Sequence, residues 1–114
     1  AISGDVDAAV AAYDRLAADR SADRILRDLS ALLAVIHSFD RSDSADLIQR
    51  LDPLLANDNP WRYSARELRA LVAYKSGSLE EARDGFAALV DDPNAPQGVR
   101  SRSAELLAAI GGGG

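Results

Sequence analysis

The chain contains no cysteine, so a disulfide framework and a thiolate metal site are both excluded. Its absence fits a reducing cytosol or an oxidising periplasm and decides between neither. Histidine occurs once, at His37, so no histidine pair can hold a metal and no thiol can join it. Aromatic residues make up only 5% of the chain, which leaves small aliphatic side chains to build most of the core. Long apolar runs are missing too. The run from Leu29 to Ile36 is eight residues long and interrupted by Ser30, well short of the roughly 18 residues of a membrane span, and reads as a buried helix. Methionine is absent and the first residue is Ala1. The chain therefore reads as a piece of a longer protein, and the lack of a visible leader proves little about what lies upstream.

Apolar residues nevertheless account for 47% of the 114 residues, enough for one domain. Much of that fraction is alanine, which suits closely packed helices and costs no side-chain entropy in a helix. The net charge is −5, from 18 acids against 13 bases. Phosphate binding needs a concentrated basic surface, so nucleic acid is disfavoured as a partner, and so is direct docking on an anionic membrane. Lys75 is the one lysine among the bases, a bias explained by a GC-rich genome.

One segment recurs three times. It starts at residues 4, 42 and 77. Ala9, Leu47 and Ala82 correspond; so do Tyr13, Leu51 and Phe86, and Leu16, Leu54 and Leu89. Steps of four and three place each trio on one helical face. Ser78 with Glu81 three residues later has the spacing of a capping box. These B-type segments are expected to be helical over 5–19, 43–56 and 78–91.

An A-type segment alternates with them. Residues 27–34 (Arg, Asp, Leu, Ser, Ala, Leu, Leu, Ala) match residues 66–73 (Arg, Glu, Leu, Arg, Ala, Leu, Val, Ala). A weaker third version covers 104–110. Helices are expected over 22–38, 61–76 and 97–110. Asn59–Pro60 suits a cap followed by a first helical residue, and Pro96 suits the same role for the last helix. Gly77 suits a left-handed helix stop. Pro53 falls inside the second B segment and predicts a kink or an early end near Leu51. The fold class that follows is all-α: an antiparallel helix-hairpin solenoid of about six helices, in the order B, A–B, A–B, A. One repeat domain spans 1–110, and 111–114 is expected to be a flexible glycine tail.

Gly77, Ala82, Phe86, Leu89 and Pro93 resemble the small, small, aromatic, apolar, proline spacing of the tetratricopeptide repeat, and Gly4, Ala9, Tyr13 and Leu16 repeat it. The middle copy departs from it, and Arg69 stands where the repeat usually has a large apolar residue. The stretches 59–67, 75–77, 86–93 and 95–102 are similar to the C-terminal half of alphaproteobacterial proteins related to the ancillary subunit of the SecYEG translocon. That resemblance implies a membrane-anchored protein with a periplasmic repeat domain, assisting secretion beside the Sec translocon and a periplasmic chaperone or prolyl isomerase. It also implies an anchor and at least one further helix upstream. The first B helix would then lack a packing partner, and self-association through its face is expected. Some tetratricopeptide proteins clamp chaperone carboxylates with Lys, Arg and Asn. The matching positions here hold Ser64, Glu67, Leu68 and Leu71, so that clamp is missing.

Catalytic signals are weak, and the sequence reads as a non-enzyme without a cofactor. His37 suits the end of a helix, where its partial charge favours the dipole. The serines fall mostly at turns and helix ends, where capping explains them. Glu80–Glu81 and Asp91–Asp92 read as solvated faces, and Asp40 to Asp46 lacks the spacing and the glycine of a calcium loop. The candidate recognition residues are those of the second A segment not used for packing: Trp61, Arg62, Arg66, Arg69 and Tyr74. Trp, Tyr and Arg most often dominate interface energy. Trp61 also suits a staple onto the preceding helix, and Arg27–Asp28 and Arg66–Glu67 suit exposed ion pairs. The favoured role is a membrane-tethered periplasmic scaffold assisting Sec-dependent secretion. The rival is a soluble repeat module organising a cytosolic or envelope assembly, such as one for cell division.

Overall fold

The spacing of four and three residues folds into helices throughout, and no strand occurs among the described residues. The computed structural model describes residues 2–112, and side chains from 5 to 111. The elements are α1 (Ile2–Ala18), α2 (Arg24–Ser38), α3 (Ser44–Leu51), a 3-10 turn (Asp52–Leu54), α4 (Arg62–Lys75), α5 (Leu79–Asp91) and α6 (Gln97–Gly112). The last helix therefore runs through Gly111 and Gly112, where a tail was expected. The rest of that tail, 113–114, lies outside the described residues.

The helix ends follow from local chemistry. Pro53 has no N–H to donate, so α3 stops at Leu51 and tightens into the 3-10 turn. Gly77 takes φ 85°, and α4 closes on it through two bonds. The Ser78 N–H donates to the Ala73 carbonyl at 2.9 Å, and the Gly77 N–H to that of Tyr74 at 3.1 Å. The expected capping box does not form: Ser78 makes no side-chain cap, its N–H goes to the Ala73 carbonyl, and the Glu81 carboxylate that would have accepted that N–H pairs with Arg69 at 3.3 Å. Asp43 does cap α3, accepting from the Asp46 N–H at 2.9 Å. Asn59 accepts from the Trp61 N–H at 2.8 Å ahead of α4. Fully buried, it also donates to Asp28 at 3.1 Å and so ties the start of α4 to α2.

The repeat is written in the turns as well as in the side chains. After α1, Asp19 N–H bonds to the Leu16 carbonyl at 3.2 Å and Ala22 N–H to that of Asp19 at 3.1 Å. After α5, Asp92 N–H bonds to the Leu89 carbonyl at 3.3 Å and Ala95 N–H to that of Asp92 at 3.1 Å. The Asp19 and Asp92 carboxylates each accept an N–H two residues on, from Ser21 and Asn94, both at 2.9 Å. In this register Arg100 corresponds to Arg27, and both have a buried Nε without a hydrogen-bond partner. Ser103 corresponds to Ser30, and both are buried. The third A-type copy therefore begins one turn earlier than its 104–110 match suggests. A slip of four residues rotates a helix by only about 40°, so an apolar pattern hardly registers it.

Neighbouring helices pack as antiparallel hairpins into a slab with extents of 44 × 34 × 21 Å, about two helix layers deep. Helix α4 joins two cores. One face, with Ala65 and Val72, meets Leu32 and Val35 of α2 and Leu47, Leu51 and Leu54 of the α3 segment. The next face, with Ala70 and Ala73, meets Ala82 and Phe86 of α5 and Ile110 of α6. Leu51 and Phe86 are fully buried, whereas Tyr13 on α1 is half-buried. Among the described side chains, the most exposed large apolar residues of the first hairpin stand on α2: Ile25 is 59% exposed and Ile36 46%. The first B helix packs its apolar stripe on α2, which leaves that stripe half-buried. Ion pairs extend the ties of α1, from Asp14 to Arg50 at 2.7 Å and from Asp7 to Arg41. No helix among the described residues is long and apolar enough to cross a membrane.

Candidate functional site

Between α4 and α5 lies a cleft of about 410 Å³. Small residues create it. Gly85 faces Ala70 so closely that an added Cβ would stand 3.0 Å from the Ala70 Cβ. Ala73 and Ala88 line it with short side chains, and Leu55 and Leu89 add larger apolar surface. Arg66 and Arg69 rise from α4 at the rim, opposite Glu81 and Asp92 of the α5 segment.

The five recognition candidates separate. Arg66 and Arg69 line the cleft, but they face α5 and not an open groove between A-type helices. Arg66 Nη2 donates to the Leu55 carbonyl at 3.1 Å and to Asn57 Oδ1 at 2.7 Å. Those acceptors lie just past the α3 segment, where a cation complements the negative helix end. Trp61 is a staple, but its bond reaches α2 and not the preceding helix: half-buried against the first core, its Nε1 donates to the Ile25 carbonyl at 3.1 Å. Arg62 donates to the Asn59 carbonyl at 3.1 Å and stacks over the Tyr63 ring at 4.6 Å. Tyr74 is 46% exposed and does not line the cleft. The sequence thus brings two of the five to one place.

Neither adjacent ion pair exists. Consecutive helical residues point about 100° apart, so Arg66 and Glu67 cannot face one another. Glu67, with its side chain only 11% exposed, is instead gripped by Arg102 of α6 at 2.7 and 3.0 Å. That hydrogen-bonded carboxylate raises the Arg102 pKa. Asp28 goes to Arg24 and Asn59 rather than to Arg27. On α3, the Asp14 hydrogen bond and then Asp46 raise the Arg50 pKa. His37 stacks on Tyr13 with ring centroids 5.3 Å apart, at the end of α2. Among the described residues no group of three His, Cys, Asp or Glu side chains is placed to hold a metal ion.

Leu55, Ala73, Gly85, Ala88 and Asp92 belong to the cleft without having been singled out as candidates. One signal was available. The position of Gly85 holds Ala12 and Arg50 in the other two B-type copies, and a glycine inside a helix marks a close approach or a gap. No protein family, curated protein or solved structure matches the chain.

Proposed function

We propose that this chain is a tetratricopeptide-like interaction module, and that it serves as the periplasmic repeat domain of a membrane-tethered scaffold assisting Sec-dependent secretion. One observation carries the module reading. The turns after α1 and α5 repeat the same hydrogen bonds 73 residues apart, which supports reading the first and last hairpins as copies of one unit. Such arrays present extended surfaces and bind other proteins with residues that packing does not consume. The secretion role rests on the resemblance carried by 59–67, 75–77, 86–93 and 95–102.

The test places a photo-crosslinking phenylalanine analogue at Tyr74, which is exposed and tolerates the change, in the protein in its native membrane. Crosslinks to a translocon subunit or to a periplasmic chaperone are expected. Products that contain neither would overturn the secretion role, and the absence of any protein product would overturn the module reading itself.

A further inference from the structure

The rim of the α4–α5 cleft carries four charged side chains, and only two of them cancel. Arg69 pairs with Glu81 at 3.3 Å. Arg66 is held through Nη2 by two uncharged oxygens and lies over the Tyr63 ring at 5.5 Å, and its Nε and Nη1 have no hydrogen-bond partner among the described residues. Asp92 accepts the Asn94 N–H at 2.9 Å and has no cation in ion-pair range among the described residues. One fixed cation and one fixed anion, both lacking an opposite charge, thus border an apolar void of about 410 Å³. A void of that size falls within the range of about 300–1,000 Å³ typical of ligand pockets.

We propose that this cleft docks an extended segment of a partner protein in which a leucine- or phenylalanine-sized side chain lies between a basic and an acidic residue. The apolar side chain fills the space beside Ala73 and Ala88. The acid accepts from the unused N–H groups of Arg66, which its two anchors hold in place beforehand. The base pairs with Asp92. Charge on both sides of one anchor fixes the direction of the segment. The proposal rests on the interaction-module reading and names the site and the chemistry of its partner.

The probe is the acetylated, amidated peptide Gly-Lys-Phe-Glu-Gly, titrated into the whole isotope-labelled chain and followed by amide chemical shifts. Shifts are expected in 66–73 and 85–92. Exchanging the peptide's Phe for Ala weakens binding by about tenfold or more. Exchanging its Lys or its Glu for Gln weakens it by about two- to fivefold. Ala88 is exposed, so Ala88→Leu fills the cleft without disturbing the core, and it should abolish binding. Asp92→Asn keeps the acceptor for Asn94 and removes the charge, so it should erase only the preference for Lys. Shifts confined to other surfaces, or an Ala88→Leu variant that binds like the parent chain, would overturn the proposal. It also falls if Ala88→Leu instead abolishes a dimer in sedimentation, since the occupant is then a second copy. If Tyr74 crosslinks persist in Ala88→Leu while the peptide fails to bind the parent chain, the module reading stands and the cleft proposal alone is lost. If the peptide binds and Tyr74 crosslinks nothing, the reverse holds.

Discussion

Helices α1 and α5 carry the same motif and meet different fates. Ala82, Phe86 and Leu89 are 0%, 0% and 2% exposed, while Ala9, Tyr13 and Leu16 at the same spacing are all half-buried. The difference lies in the neighbours. Helix α5 is packed against α4 and α6, whereas α1 lies against α2 and is further tied by the Asp14–Arg50 and Asp7–Arg41 ion pairs. Spacing tells which face of a helix turns inward. How much that face stabilises depends on how many elements cover it. Truncating the matched aromatics exposes the contrast most directly. Phe86→Ala should cost about 3–5 kcal/mol, and Tyr13→Ala only about 1 kcal/mol, since half of its area already faces water. Urea unfolding of both variants measures the two losses, and equal losses would dissolve the distinction.

A smaller effect separates the two helices at the position one step before that aromatic. Ala12 of α1 is exposed, while Gly85 of α5 sits against Ala70. Gly→Ala in a helix interior ordinarily gains about 0.5–1 kcal/mol. At Gly85 the added methyl meets the Ala70 Cβ at 3.0 Å, inside normal contact, and that short side chain has no rotamer to move it away. The overlap should outweigh the gain, with a net loss of about 1 kcal/mol. The converse change, Ala12→Gly, should cost only the propensity term, about 0.5–1 kcal/mol. Pairing Gly85→Ala with Ala70→Gly should recover part of the loss. Simple additivity of the two changes in a double-mutant cycle would mean that the close approach is not the cause.

These contrasts also mark how far the sequence could be read. Six helices, the stop at Pro53 and the left-handed Gly77 follow from short-range chemistry, and all are found. What failed depends on partners distant in sequence. Glu81 left its capping role for Arg69, and Glu67 ignored its neighbour for Arg102, 35 residues away. Arg66 was marked for recognition by its residue type. Its place in a cleft depends on the small size of residues on α5, which no local pattern on α4 reveals. Trp61 and Arg62 matched the same composition rule but are occupied in holding α4 to α2 and to its own first turn. The edge helix keeps a half-covered apolar stripe, as its missing partner led one to expect, and Ile25 and Ile36 of α2 add exposed apolar area that the repeat pattern did not mark.

The ion pairs of α1 offer the next test. Arg50 bridges Asp14 of α1 and Asp46 of its own helix, with about a third of its side chain exposed. Such partly solvated pairs contribute about 0.5 kcal/mol each. Arg50→Gln should therefore barely move the global unfolding midpoint but should speed amide exchange in α1, leaving α5 unchanged. Raising the salt to about 1 M, where screening acts over about 3 Å, should do the same to the parent chain. Uniform acceleration across α1 and α5 would show that the edge helix is not separately held.

The smallest effect compares the exits of the two helices. Ser21 donates to Asp19 Oδ1 through its N–H at 2.9 Å and through its hydroxyl at 2.6 Å. The hydroxyl bond first, and the N–H bond second, hold the Asp19 pKa below the usual aspartate range. A carboxyl with a folded-state pKa below its unfolded value adds stability above the unfolded value and loses it as pH falls through the folded one. The α5 exit has the N–H bond from Asn94 to Asp92 in the equivalent place but no hydroxyl. Ser21→Asn therefore converts one turn into a copy of the other. It keeps the backbone bond and removes the stronger of the two causes. The Asp19 titration, followed by carboxyl carbon shifts, should move toward the ordinary value. Ser21→Ala should give the same displacement, because it too spares the N–H. If neither variant shifts the titration, the hydroxyl does not hold the carboxylate, and the two exits differ only in sequence.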